Sequence, residues 1–327
     1  MNIKGIHHVS AMTGSAKGNY TFYTDILGMR LVKKTVNQDD TSIYHLFYGD
    51  RVGSPGTELT FFEIPNAAPT HQGNRSISQI QLRVPSDASL QYWVERFDDH
   101  NVQHTGVIEV AGRKTLPFFD PEGQRLAFVS DETNEGVAGG EPWERSAVTA
   151  AHGVIGLGPV KLTVPDAERT ADILTDVLGF HLAGTRPPEK EGMNDIQIFS
   201  VGEGGTGAEV HLEERTDLPP ERLGKGGVHH VAFRLEDEEA LLKWAEQLNE
   251  LRIPNSGFVE RFYFKSLYFR EPNGILFELA TDGPGFATDE DEAHLGESLS
   301  LPPYLESQRE HIEKHIAPLD TTPRSDA

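Results

Sequence analysis

Two short stretches, GIHHVSAM at residues 5–12 and GVHHVAF at residues 227–233, each place adjacent histidines after a glycine and a β-branched residue. A third, LFELAT at 276–281, sets Glu278 inside an apolar run. Neutral imidazoles and a carboxylate are donors for a divalent transition metal, and imidazole also moves protons near neutral pH. That chemistry needs residues more than two hundred positions apart to meet at one point.

The elements that would position them come in repeats, which are sought before individual elements because they decide the fold. FYTDILGMRLV (22–32) is echoed by ILTDVLGFHLA (173–183): an apolar helical pattern ends at Leu-Gly, with glycine as the expected C-cap, and a strand-like run follows. Weaker copies run through ISQIQLRVP (77–85) with SLQYWVERFDDHNV (89–102), and VHHVAFRL (228–235) with ALLKWAEQLNEL (240–251). Each unit reads as strand, helix, then strands, with starts near residues 4, 77, 157 and 226. The glycine-rich, aperiodic stretch 134–153 is the linker candidate, which divides the chain into units one and two (1–133), units three and four (154–282), and an extension over 283–327.

Four βαβββ units with histidine on a first strand and glutamate on a last strand resemble the vicinal oxygen chelate superfamily of glyoxalases, extradiol ring-cleaving dioxygenases and bleomycin-resistance proteins. The resemblance covers residues 4 to 282 and implies an α+β fold of two cupped, incompletely closed barrels, with helices outside and a metal within the cup.

Neighbouring strand residues point to opposite faces, so one histidine of each pair enters the cup. His229 shares its face with Val231, Phe233 and Leu235, whereas His230 shares its face with Ala232 and Arg234. The apolar face should meet the helices, which puts His230 in the cup. The same register makes His8, Gln81 and Lys161 cup-facing, and sets Glu278 opposite Phe277 and Leu279. Aligned turns put Ala127 at the Glu278 position of unit two, while unit three offers His211 or Glu213 but no first-strand histidine. His8, His230 and Glu278 are therefore the expected ligands, a 2-His-1-carboxylate set that leaves open positions on an octahedral ion.

A site shared by units one and four is similar to that of hydroquinone and chlorohydroquinone 1,2-dioxygenases. LVKKTVNQDD (31–40), YHLFYGD (44–50) and LYFREPNGILFELATDGPGF (267–286) extend the likeness. It implies Fe(II), or Mn(II), which favours similar donors, a dihydroxybenzene substrate with O₂, and substrate-site roles for Arg261 and Tyr268. His7 and His229 would point away from the metal, either as backbone-bonded buried imidazoles or as support for the ligands. One of them is the candidate base.

Laying TFFEI (60–64) on LFEL aligns Glu63 with Glu278, and His8, Glu63, His230 and Glu278 together look like the ligand set of glyoxalase I. Four protein ligands would make the ion a Lewis acid for an isomerase. A protein that only sequesters an aromatic ligand is the third reading, and it needs no metal ligands.

Composition bounds the rest. A net charge of −22 repels phosphate backbones and anionic lipid. No apolar run is long enough to span a membrane, there is no cysteine, and no secretory pattern opens the chain, so cytoplasmic residence is expected. A homodimer is compatible with the pattern, although both halves of the expected site lie in one chain. In the extension, Phe286, Leu299, Leu301 and Tyr304 either cover the cup's mouth or dock elsewhere.

Overall fold

The computed structural model describes residues 2–323. Unit one supplies strands β1 (Ile6–Thr13), β2 (Arg30–Val36), β3 (Tyr44–Gly49) and β4 (Glu58–Glu63). Unit two supplies β5 (Ser76–Val84), β6 (Ile108–Val110), β7 (Arg113–Phe119) and β8 (Arg125–Ser130). Unit three supplies β9 (Gly156–Val164), β10 (His181–Arg186), β11 (Ile196–Ser200) and β12 (Glu209–Glu214). Unit four supplies β13 (Gly227–Leu235), β14 (Val259–Glu260), β15 (Lys265–Arg270) and β16 (Leu276–Thr281).

These strands form two eight-stranded sheets, ordered β14-β15-β16-β13-β1-β4-β3-β2 and β10-β11-β12-β9-β5-β8-β7-β6. The first sheet thus joins unit one to unit four, and the second joins unit two to unit three. At each centre two first strands run antiparallel, β1 against β13 and β5 against β9. Each first strand is parallel to the last strand of its own unit, which is what a crossing helix permits.

Helices follow every first strand: α1 (Ala16–Tyr20), α2 (Asp87–His100), α3 (Ala167–Asp172) and α4 (Glu238–Glu250). Both Leu-Gly endings close wide helical turns, Thr21–Ile26 and Ile173–Val177, and Gly28 and Gly179 adopt φ of 70° and 75°. Those values suit glycine, and a Cβ at Gly28 would also strike Val148. In α2, Ser86 caps the N-terminus by accepting from Ser89 N, and Leu90, Trp93 and Phe97 share the buried face. Asp237 caps α4 in the same manner, over Leu241, Trp244 and Leu248.

The helix-facing strand residues are buried as the alternation requires: Val231, Phe233 and Leu235, then Ile80, Leu82 and Val84, then Val160, Leu162 and Val164. They form one continuous core with the helices. A smaller cluster lies on the cup side of the first sheet and includes Phe47, Ala232, Tyr263, Phe264 and Phe286.

Residues 134–153 hold no strand or helix and are threaded tightly between the units. Val137 N donates to Gly204 O at 2.8 Å, and a Cβ on Gly136 would overlap the Gly204 carbonyl. The extension covers β2, one of the two edges of the first sheet: Ser300 N donates to Lys34 O, while Lys34 Nζ donates to the carbonyls of Glu297 and Leu319. A fifth helix, α5 (Arg309–His315), buries Ile312 in the main core. No helix among the described residues is long and apolar enough to cross a membrane.

Candidate metal centre

His8 on β1, His230 on β13 and Glu278 on β16 come from three adjacent strands, set by the pairings Ser10↔His230, His8↔Ala232 and Ala232↔Glu278. Their donor atoms converge. Glu278 Oε2 lies 3.1 Å from His8 Nε2 and 2.9 Å from His230 Nε2, and the two nitrogens are 3.3 Å apart. Donors about 2.1 Å from an octahedral ion sit about 3 Å apart when at right angles, so the spacing fits three cis positions on one cation. All three residues are buried.

The histidine neighbours are placed by two β-bulges, a feature that strict alternation does not anticipate. The β1–β13 register slips between Ile6 and His8, so His7 is extra on β1, and it slips again opposite His229 on β13. A bulged residue turns toward the side of its neighbour. His7 and His229 therefore do not point away, as alternation predicts: His7 Nδ1 is 3.0 Å from His8 Nδ1, and His229 Nδ1 is 2.7 Å from His230 Nδ1. His7 Nε2–H donates to Thr281 O at 3.0 Å. Burial alone would lower the His7 pKa, but Glu58, whose buried Oε2 lies 3.4 Å from His7 Nδ1, outweighs it and raises the pKa.

Burial holds the His8 and His230 pKa values below the ordinary histidine range despite the adjacent Glu278. Burial alone would raise Glu278, but the two imidazoles outweigh it and hold the carboxyl well below the usual range. Ser266 Oγ–H donates to Glu278 Oε1, whereas the buried Oε2 has no hydrogen-bond donor. Two imidazole nitrogens and a buried carboxylate oxygen, all within 3.3 Å of one another, form a donor set that a divalent cation would satisfy, and in this respect the residues fit the metal. His7 Nδ1, His8 Nδ1 and Glu58 Oε2 also lie close together, but there the nitrogens are joined to each other.

His8 and His230 line a cavity of about 310 Å³ that is walled by Phe47, Phe62 and Phe264. Tyr268, which pairs with Glu278 across β15 and β16, and Arg261 also line it. Arg261 Nε–H donates to Tyr268 Oη at 3.2 Å, and its Nη2 is 3.0 Å from Asp39 Oδ2. His229 lines the same cavity, whereas His7 faces Thr281 behind it.

This arrangement answers to one family description, the Glyoxalase/Bleomycin resistance protein/Dioxygenase superfamily, which matches residues 5–128 and 156–279. The chain belongs to this superfamily. It is 54% identical over 319 residues to the "Putative ring-cleaving dioxygenase MhqA" of Bacillus subtilis, covering 98% of this chain and all of the relative. It is 30% identical to a chlorohydroquinone/hydroquinone 1,2-dioxygenase of Sphingobium indicum, across 95% of both chains. Among solved structures, a dioxygenase of B. subtilis so far described as putative superposes with a TM-score of 0.87 at 34% identity, covering 99% of both chains. Glyoxalase I from Zea mays shares the fold, with a TM-score of 0.61 at 16% identity over 85% of this chain and 92% of its own.

Within the superfamily fold, parallel register corrects one assignment. The position equivalent to Glu278 pairs with the residue two beyond the cup-facing histidine, Ala232 in unit four and Ser10 in unit one. Ser10 pairs with Thr60, and their hydroxyls are 2.7 Å apart. Glu63 pairs instead with Thr13, and its Oε1 accepts from Ala16 N at 2.7 Å, capping α1. The set of His8, Glu63, His230 and Glu278 does not assemble. In unit three the equivalent place holds Glu213, 3.7 Å from Lys161 Nζ, so a tethered ammonium stands where unit four presents a histidine. His211 turns to Glu209.

Sequence reasoning missed His45, Thr60, Ser266 and Phe264. His45 could have been found: in YHLFYGD the core takes Tyr44, Leu46 and Tyr48, which leaves His45 and Phe47 to the cup. In the extension, Phe286 packs on Phe47 and Tyr263, Leu299 pairs with Lys34, and Leu301 enters the main core. Tyr304 is exposed and donates to Gln38 Oε1.

Proposed function

We propose that this protein is a ring-cleaving dioxygenase that opens a hydroquinone or related dihydroxybenzene with O₂, using Fe(II), or alternatively Mn(II), held by His8, His230 and Glu278. The observation that carries the reading is the convergence of those three donors beneath an aromatic-walled cavity, with Thr60 rather than a carboxylate at the fourth position. It is supported by the full-length relatives named as ring-cleaving and hydroquinone dioxygenases. Both oxygen atoms of O₂ enter the opened product, so no external reductant is needed.

When bound, the metal would offer open positions to a substrate hydroxyl oxygen and to O₂, and a route for electrons between them. The chain's own residues do the rest. Phe47, Phe62 and Phe264 give the cavity its apolar walls for the ring and keep water out. Tyr268, its hydroxyl held by Arg261, stands on the strand beside Glu278 and donates toward oxygen that gains negative charge. His229, which lines the cavity, is the imidazole placed to take the substrate's hydroxyl proton, while His7, anchored to Thr281 O, holds the His8 ring from behind.

The test is anaerobic reconstitution with Fe(II), followed by O₂ uptake with hydroquinone, methylhydroquinone and catechol. Uptake with one O₂ consumed per diol is expected. No uptake with any of the three would end this reading.

A further inference from the structure

Among the polar side chains that line the cavity, His45 has a chemistry that the triad, Tyr268 and Arg261 leave unused. His45 stands on β3, two strands across the sheet from β1, with its ring between Phe47 and Phe62 at centroid distances of 4.0 and 4.1 Å. Phe62 in turn lies 6.5 Å from the His230 ring, so His45 is one aromatic layer beyond the metal ligands. Its Nε2 is 3.0 Å from Thr60 Oγ1, and Thr60 is bonded to Ser10, so the ring's orientation is fixed from the sheet. Its Nδ1 has no hydrogen-bond partner among the described residues.

Several other polar groups of the cavity are committed, whereas Thr35 Oγ1 has no hydrogen-bond partner among the described residues. Arg261 is spent on Asp39 and Tyr268, Tyr263 Oη donates to Asp289, and Gln38 bonds both Arg261 O and Tyr304. Surrounding protein, with His8 and His230 nearby, holds the His45 pKa well below its ordinary value, so the ring stays neutral. A neutral imidazole with one nitrogen spent and one open complements a hydroxyl, which donates or accepts as the tautomer requires. It is a poor partner for a carboxylate, which favours a cation.

We infer that His45 binds the second hydroxyl of the substrate, the one across the ring from the metal, and so selects a para-diol. This rests on the reading of the cavity as a diol site and deepens it. A substrate in the cavity with one oxygen at the triad directs its far end away from the metal, toward the aromatic layer that holds His45. A methyl group in place of that hydroxyl would leave the nitrogen unpaired and dry.

Anaerobic calorimetry on the Mn(II)-loaded protein tests this with hydroquinone and 4-methylphenol, which has a methyl group in place of the far hydroxyl. The wild type should prefer hydroquinone by about tenfold, the value of one hydrogen bond. In His45→Phe the ratio should fall to about one with 4-methylphenol affinity unchanged, and His45→Gln should restore most of it. His45→Leu carries the same expectation if the phenylalanine variant does not fold. An unchanged preference in these apolar variants would overturn the role of His45 alone. A wild type that binds neither phenol would overturn the diol reading, and this inference with it.

Discussion

His8 and His230 are 222 positions apart in sequence and 3.3 Å apart at Nε2, because the first strand of unit one pairs antiparallel with the first strand of unit four. Unit three, which adjoins unit four in the chain, pairs with unit two instead. The site is therefore a product of the long-range pairing, and loss of either half should abolish it.

Ser266 has no contact with a metal, yet its hydroxyl is the donor that fixes the Glu278 Oε1 oxygen and so aims Oε2. Ser266→Ala should lower metal affinity by about 10–100-fold with the fold retained. Competition with a fluorescent chelator measures the affinity, and circular dichroism checks the fold.

Glu63 caps α1 and stands away from the triad. Glu63→Ala should leave metal stoichiometry unchanged while costing about 1 kcal/mol of stability, read by urea unfolding. Loss of metal in this variant would restore the four-ligand isomerase.

Arg113 and Glu209 form a bidentate pair that ties β7 to β12, a link between units two and three. Burial pushes Glu209 up, but Arg113, with His211, outweighs it and brings the carboxyl from its ordinary 4.5 down to about 2. A depressed carboxyl contributes stability above its unfolded pKa and loses it as pH falls toward the folded one. Glu209→Gln should therefore cost about 3 kcal/mol at pH 7, and the gap should narrow by roughly two fifths by pH 3.5. Urea unfolding of both proteins at the two pH values measures it, and a gap independent of pH would contradict the assignment.

Much of this architecture was legible in the residues. The repeated Leu-Gly endings marked the units, and alternation around Val231, Phe233 and Leu235 told the core face from the cup face. What escaped was whatever depends on pairing between strands. Alternation within one strand carries no sign of a bulge, so it misses that His229 reaches the cavity, whereas His7 is the backbone-bonded buried imidazole that one of the two readings expects. The register of β4 against β1 is not written in either strand alone, so the motif alignment puts Glu63 where Thr60 stands. His45 lay inside a motif noted for its likeness rather than for its faces, although the same alternation would have pointed it into the cup.

The central claim is that units one and four build a single metal site, and Mn(II) titration followed by electron paramagnetic resonance tests it most directly. One tightly bound Mn(II) per chain is predicted for the wild type, with binding lost in His8→Ala and, separately, in His230→Ala, while both variants keep wild-type circular dichroism. Full Mn(II) binding in either variant would contradict the account.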